Sequence, residues 1–122
     1  MQLDHFNIAA PMDLLKAVRD FYVDVLGFEE GFRPAFSRRG YWLYADDAPA
    51  IHLIESERHR PGQQGFLDHI AFRTRGLDKI VRRLESHAIA FRRSTIPELG
   101  MTQLFFSDPV GTGLELNFRD ED

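Results

Sequence analysis

An internal repeat constrains this chain more than any other feature of its sequence. The tripeptide Leu-Asp-His stands at residues 3–5 and again at residues 67–69, 64 positions later. The helix-like segments that follow also match, since Val18 lies 63 positions before Val81. Self-similarity at a fixed period indicates repeated structural units. Because 122 residues are too few for two typical independent domains, the repeat predicts one domain, residues 1–122, made of two similar modules.

Each module is predicted to have the order βαβββ. Apolar and polar side chains alternate where strands are expected, and apolar side chains recur every three or four positions where helices are expected. The first module, about residues 3–55, is predicted to contain strands 3–9, 28–36, 41–45 and 50–55, a helix 13–26 and a turn 46–49. The second, about residues 67–119, is predicted to contain strands 67–73, 90–96, 101–107 and 113–118 and a helix 77–87. A polar, turn-rich linker is expected over residues 56–66. The fold class is therefore α+β.

Strand parity places several polar side chains together. The offset of 63 pairs His52 with Glu115, and the repeated tripeptide pairs His5 with His69. If the apolar residues of these strands pack under the helices, the opposite face carries His5, Asn7, His52, His69, Glu115 and Asn117. Burying imidazole and carboxylate groups is costly unless they are paired or bound to a metal. We therefore expect a cupped, barrel-like mixed sheet with the helices outside and a ligand site on the polar, concave face.

The ligand types on this face indicate a divalent metal ion. His5, His69 and Glu115 form a set of two imidazoles and one carboxylate, which suits Fe, Mn, Ni, Co or Zn. The chain contains no cysteine, so the donors must be nitrogen and oxygen. His52 has three open roles: a fourth metal ligand, a catalytic general base close to the metal, or a hydrogen-bond partner.

A small organic substrate is the expected partner of this site. Asn7 and Asn117 are predicted to orient it. Most aromatic residues of the middle strands are expected in the core, and strand parity allows some of them to form an apolar wall of the cavity. Which face these rings occupy is open from the sequence. They are Phe32, Phe36, Tyr41, Trp42, Tyr44, Phe105 and Phe106.

Charge and hydropathy argue against two other classes of partner. The net charge of −4 and the pI near 5.7 argue against nucleic acid, because duplex-binding proteins usually carry a basic patch. No apolar run approaches the roughly 20 residues that cross a bilayer, so no membrane partner is expected. The polar start of the chain does not resemble a signal peptide, and a cytoplasmic location is the expectation.

The sequence resembles the vicinal oxygen chelate superfamily, which includes glyoxalase I, fosfomycin-resistance thiol transferases, extradiol dioxygenases and bleomycin-resistance proteins. The resemblance is carried by Leu3-Asp4-His5, Val25-Leu26-Gly27-Phe28, Leu67-Asp68-His69-Ile70-Ala71-Phe72, Phe106-Ser107-Asp108-Pro109 and Gly113-Leu114-Glu115-Leu116. It implies a divalent-metal-dependent enzyme that chelates a small oxygen-rich metabolite, of the lyase or isomerase type or of the dioxygenase type. It also implies a homodimer, in which His5 joins the other ligands either from the same chain or from the partner chain.

Departures from the family patterns leave the reaction open. The position that carries a carboxylate ligand in glyoxalase I is His52 here, which weakens a strict glyoxalase assignment. Residues 91–101 contain no lysine, which argues against fosfomycin resistance, and extradiol dioxygenases usually contain twice as many modules. Two functions without catalysis compete with the enzyme: a metal-free small-molecule binding protein of the bleomycin-resistance type, whose members lack the metal ligands, and a metal-holding chaperone or regulatory subunit.

Overall fold

The computed structural model describes residues 2–58, 67 and 69–119, and the chain divides into two compact units, Met1–Gln63 and Gln64–Asp122. The first unit contains β1 (Phe6–Ala10), α1 (Met12–Asp24), β2 (Glu29–Gly31), β3 (Gly40–Ala45) and β4 (Ala48–Glu55). The second contains β5 (His69–Arg73), α2 (Leu77–Ser86), β6 (Arg92–Ile96), β7 (Met101–Ser107) and β8 (Gly113–Arg119), with a short 3₁₀ helix, Pro97–Leu99, before β7. The α+β class and the two tandem βαβββ modules are confirmed.

Each unit has one four-stranded mixed sheet, and the two sheets have the same topology. The strand order is β1-β4-β3-β2 in the first unit and β5-β8-β7-β6 in the second. In each sheet the first and last strands of the module run parallel, and the other pairs are antiparallel. The register repeats as well, because Trp42 pairs with His52 and Phe105 pairs with Glu115, 63 positions later. The sequence offset therefore identifies structurally equivalent positions.

The apolar faces follow the predicted parity. In the first unit, Leu53 of β4 and Leu15 of α1 have no exposed surface, and in the second unit Leu116 of β8 is 3% exposed. Full burial of a side chain of this size contributes about 1.5–3 kcal/mol. The residues that alternate with the buried ones on β4 and β8, including His52 and Glu115, are only partly buried. The sheets are therefore two-sided, with an apolar face and a more polar one.

The segment after α1 differs most from the sequence prediction. A strand over residues 28–36 was expected, but β2 ends at Gly31 and residues 32–39 are irregular. Pro34 explains this, because it has no N–H to donate to a neighbouring strand. The predicted turn 46–49 is also shorter. Asp46 and Asp47, with φ of 49° and 71°, form the whole turn of a tight β3–β4 hairpin, and positive φ at both central residues is what such hairpins require.

Part of the predicted linker lies outside the described residues. Of residues 56–66, only 56–58 are described, and Ser56 is buried rather than solvated, with its N–H donating to the Ala10 carbonyl. The predicted strand 67–73 begins at His69. Among the described residues there is no helix with the length and apolar character that crossing a membrane would need.

Candidate metal and substrate site

Three stacked rings lie on the polar face of the first unit. Trp42 and His52 are direct neighbours in the β3–β4 register, and their rings are stacked with centroids 4.1 Å apart and an interplanar angle of 11°. His5, just before β1, stacks on the other side of the same imidazole at 3.7 Å and 13°. His52 therefore lies between an indole and a second imidazole, and the strand register sets the position of two of these three rings.

The adjacent carboxylate orients His5. Its Nδ1–H donates a hydrogen bond to Asp4 Oδ2 at 2.6 Å, so the lone pair of the neutral ring is at Nε2. Histidines that bind metals usually make a bond of this type, since it fixes the tautomer and the orientation of the ring. The His5 side chain is 37% exposed, which leaves room for a ligand. The Asp4–His5 pair therefore has the chemistry of an oriented nitrogen donor.

His52 has a lowered pKa. Burial lowers its pKa below the ordinary value, the nearby His5 lowers it further, and a backbone hydrogen bond with Pro49 acts in the opposite direction. Its Nε2 is buried, and no hydrogen-bond partner for this atom lies in the described part of the chain. Burial and the neighbouring imidazole of His5 thus both favour the uncharged form of His52.

The second unit positions its candidate ligands by hydrogen bonds. Gln103 Nε2–H donates to Asn117 Oδ1 at 3.1 Å, and Asn117 Nδ2–H donates to Glu115 Oε2 at 2.9 Å. The other carboxylate oxygen, Oε1, lies 3.6 Å from His69 Nε2. The Glu115 side chain is 13% exposed, so the amide donor compensates part of the cost of removing the carboxylate from water. This chain of contacts holds Glu115 in one orientation toward His69.

The donors of the second unit fit a divalent metal ion. At 3.6 Å, the separation of His69 Nε2 and Glu115 Oε1 exceeds a normal hydrogen bond. Neighbouring donor atoms around a metal with bonds of 2.0–2.2 Å lie about 3 to 3.5 Å apart, close to this distance. One imidazole nitrogen and one carboxylate oxygen are also donors that transition metals accept. This half of the predicted ligand set therefore has suitable chemistry and spacing.

The structure brings the predicted site residues together in two groups. His5, His52 and Asn7 share one end of the first unit's sheet, where Asn7 is exposed and pairs with His52 in the β1–β4 register. His69, Glu115 and Asn117 are grouped in the second unit by the contacts given above. Taken by itself, neither unit has three or more His, Asp or Glu side chains clustered around a metal position among its described residues. The complete ligand set stays a prediction.

Three contributing residues were not assigned these roles from the sequence. Asp4 belongs to the repeated tripeptide, so its recurrence was a usable signal for a partner of His5. Trp42 was one of the aromatic residues of undecided sidedness, and its pairing with His52 settles the face it occupies. Gln103 falls on the same strand face as Phe105, two positions along β7, and parity alone would have placed it near Glu115.

The chain matches a known protein superfamily. The model of the Glyoxalase/Bleomycin resistance protein/Dioxygenase superfamily matches residues 2–116. The chain belongs to this superfamily. The resemblance that rests on the Leu-Asp-His tripeptides and the Gly113–Leu116 segment is thereby confirmed for this glyoxalase-superfamily chain.

Relatives in the superfamily have diverse descriptions. "Glyoxylase I 4" from Arabidopsis thaliana is 31% identical over 105 residues, which cover 80% of this chain and 60% of that protein. A variant of the fosfomycin resistance protein FosX from Listeria monocytogenes, complexed with Mn(II) and 1S,2S-dihydroxypropylphosphonic acid, has a TM-score of 0.76 at 14% identity, over 97% of this chain and 92% of that one. TnmS3, an antibiotic binding protein from Streptomyces sp. CB03234, has a TM-score of 0.70 at 23% identity, over 98% and 96%. The structural likenesses show the fold alone.

Proposed function

We propose that this glyoxalase-superfamily chain is a divalent-metal-dependent enzyme that binds a small oxygen-rich metabolite by bidentate chelation. The observation that carries the proposal is the Glu115 carboxylate, which Asn117 orients so that Oε1 lies 3.6 Å from His69 Nε2. The proposed ligands are His5, His69 and Glu115. The reaction classes that the proposal covers are lyase or isomerase chemistry and dioxygenation.

The residues of the chain have separate tasks in this proposal. A bound divalent ion supplies Lewis-acid polarisation of the substrate oxygens. Asp4 holds the His5 ring with Nε2 available, and Asn117 holds the carboxylate of Glu115. Asn7, which is exposed beside His52, is proposed to orient the substrate. Asn117 was expected to do the same, but both ends of its amide are engaged, so we propose that it acts through Glu115.

Metal content tests this proposal directly. Untagged protein is analysed by mass spectrometry as the unaltered chain, as His69→Ala and as Glu115→Ala, with His87→Ala as a control that removes a histidine at the end of α2. We expect about one equivalent of a transition metal in the unaltered chain and the control, and its loss in both ligand variants. Iron together with oxygen uptake would indicate dioxygenation, and nickel, zinc or manganese would indicate isomerase or lyase chemistry. Absence of bound metal after reconstitution would contradict the proposal of a metal-dependent enzyme.

A metal-free binding protein is the second candidate, and exposed rings in the first unit favour it. Phe32 is 75% exposed and Phe36 is 54% exposed. The centroids of the Phe36 and Trp42 rings lie 6.2 Å apart. The Arg33 guanidinium covers Phe36 at 4.9 Å. The similarity to an antibiotic binding protein agrees with such a surface. Binding of an aromatic drug that survives Glu115→Ala and chelator treatment would favour this function over the enzyme.

Oligomeric state and location are proposed with the function. We propose a homodimer, in which His5 acts either with ligands of its own chain or with those of its partner. Sedimentation equilibrium tests the dimer, and mixing His5→Ala with Glu115→Ala chains tests the source of His5, because only a shared site regains metal in the mixture. The proposed location is the cytoplasm, which fractionation of the source cells tests.

A further inference from the structure

The ring stack of the first unit has a consequence for metal binding. A metal ion lies in the plane of the imidazole that binds it, about 2.0–2.1 Å from the nitrogen. The rings of His5 and His52 are nearly parallel, at 13°, with centroids 3.7 Å apart. An ion in the plane of one ring is then about 3 Å or more from every atom of the other, which is far beyond a bond. The two imidazoles therefore do not share one metal ion in this arrangement.

We infer that His52 is a positioning residue for His5 and not a fourth metal ligand. This inference rests on the proposed function, since it gives His5 the ligand role. His52 occupies the space between Trp42 and His5, and it stacks on both rings. Asp4 fixes rotation of the His5 ring through Nδ1, and the stack fixes the plane in which its Nε2 points.

The stack is anchored beyond His52. Trp42 is in the interior of β3. The Phe36 ring lies beside it, with a centroid distance of 6.2 Å and an interplanar angle of 44°. Arg33 covers Phe36, and its NH2 group donates to the Arg38 carbonyl. Phe36, in the irregular segment 32–39, thus packs near the Trp42 indole that stacks on His52. A flat ring at position 52 is what this arrangement uses.

Two substitutions separate the ring of His52 from its nitrogen atoms. His52→Phe keeps a flat ring and removes both nitrogens, and His52→Leu removes the ring as well. If His52 positions His5, affinity for Zn(II), measured by competition with a chelator, stays within about threefold in His52→Phe and falls about tenfold in His52→Leu, the range for residues that orient ligands. Glu115→Ala is the comparison for loss of a true ligand. A loss in His52→Phe as large as in Glu115→Ala overturns the inference.

A second measurement needs no metal. The ring current of an aromatic ring shifts the resonances of protons that lie over its face. The Cε1–H signal of His5 in metal-free protein therefore reports its stacking on the ring at position 52. We expect the shift to persist in His52→Phe and to move toward the value of an exposed histidine in His52→Leu. Far-UV circular dichroism checks folding in every variant, because the emission of Trp42, the only tryptophan, depends on the ring that is being replaced.

The two measurements distinguish the inference from the proposed function. If the unaltered chain binds no Zn(II), the metal-dependent enzyme fails, and the His5 resonance still decides whether His52 holds that ring. If the chain binds Zn(II) and the His5 resonance is the same in His52→Leu as in the unaltered chain, the metal site stands and the positioning role is overturned.

Discussion

The two units share strand order and register but differ in what fills equivalent positions on the polar face. In the first unit Gly40 pairs with Ile54, and in the second Gln103 pairs with Asn117, 63 positions later. Neither Gly40 nor Ile54 has a polar side chain that could form a hydrogen bond. The second pair forms the hydrogen-bond chain that ends on Glu115. The same backbone frame therefore supports two different local chemistries.

The difference follows from the groups that each unit has to hold. The imidazole of His52 presents flat faces, so a neighbouring indole can position it by contact alone. A carboxylate needs a hydrogen-bond donor when it is removed from water, and Asn117 supplies one to Glu115. The ring beside Glu115 is Phe105, and the Arg92 guanidinium covers it at 4.3 Å. Equivalent positions thus determine where a residue lies, and its neighbours determine how it is held.

The largest expected effect lies on the apolar faces, where the two units should behave alike. Leu53 and Leu116 occupy equivalent positions and are 0% and 3% exposed. We expect either Leu→Ala substitution to lower the free energy of unfolding by about 2–5 kcal/mol, because each leaves a cavity and loses buried apolar surface. Urea denaturation measures this. Leu99→Ala is the control, since Leu99 is 56% exposed and a change of less than about 0.5 kcal/mol is expected. A strong effect in only one unit would contradict the equivalence.

The next effect should appear only in the second unit. Asn117→Ala removes the donor to Glu115, and we expect affinity for Zn(II) to fall about tenfold, the lower end of the range for residues that orient a ligand. Gln103→Ala should have a smaller effect, because Gln103 acts through Asn117. Ile54→Ala, at the position equivalent to Asn117, is the matched control. Equal losses in Ile54→Ala and Asn117→Ala, measured by chelator competition, would show a general loss of structure.

The smallest effect concerns pH and the first unit. The folded chain holds the pKa of His52 below its ordinary value near 6.5, chiefly through burial. Well above pH 6.5 this histidine is neutral in both states. As the pH falls below 6.5, the unfolded chain takes up a proton that folded His52 resists, so the free energy of unfolding decreases. His52→Phe should reduce this decrease in urea titrations between pH 7.5 and 5.5.

A control variant, and a second group that acts in a different pH range, keep this test specific. His87→Phe is the matched control, because it makes the same replacement at a histidine at the end of α2. The Glu55 carboxylate has its pKa lowered, first by the hydrogen bonds from Arg39, so its contribution is lost only at more acidic pH. Identical pH curves for His52→Phe and the unaltered chain between pH 7.5 and 5.5 would contradict a neutral, stacked His52.

Local patterns explain why much of the fold was predictable. Apolar periodicity and the 63-residue offset located both helices and the strands around them, since buried faces need apolar side chains at regular spacing. The same offset predicted that His52 and Glu115 are equivalent, and the register confirms it. The strand over residues 28–36 failed because apolar and aromatic content outweighed Pro34 in the prediction, although proline cannot donate to a sheet.

The sequence by itself determined the repeat, the α+β modules, the absence of thiolate ligands and the superfamily to which the chain belongs. The tertiary structure decided how the polar residues are held: that Asp4 orients His5, that Trp42 stacks on His52, and that Gln103 and Asn117 support Glu115. The reason is physical. Periodicity records which face a side chain occupies, whereas stacking and hydrogen bonding depend on distances and angles between residues that pairing of separate strands brings together.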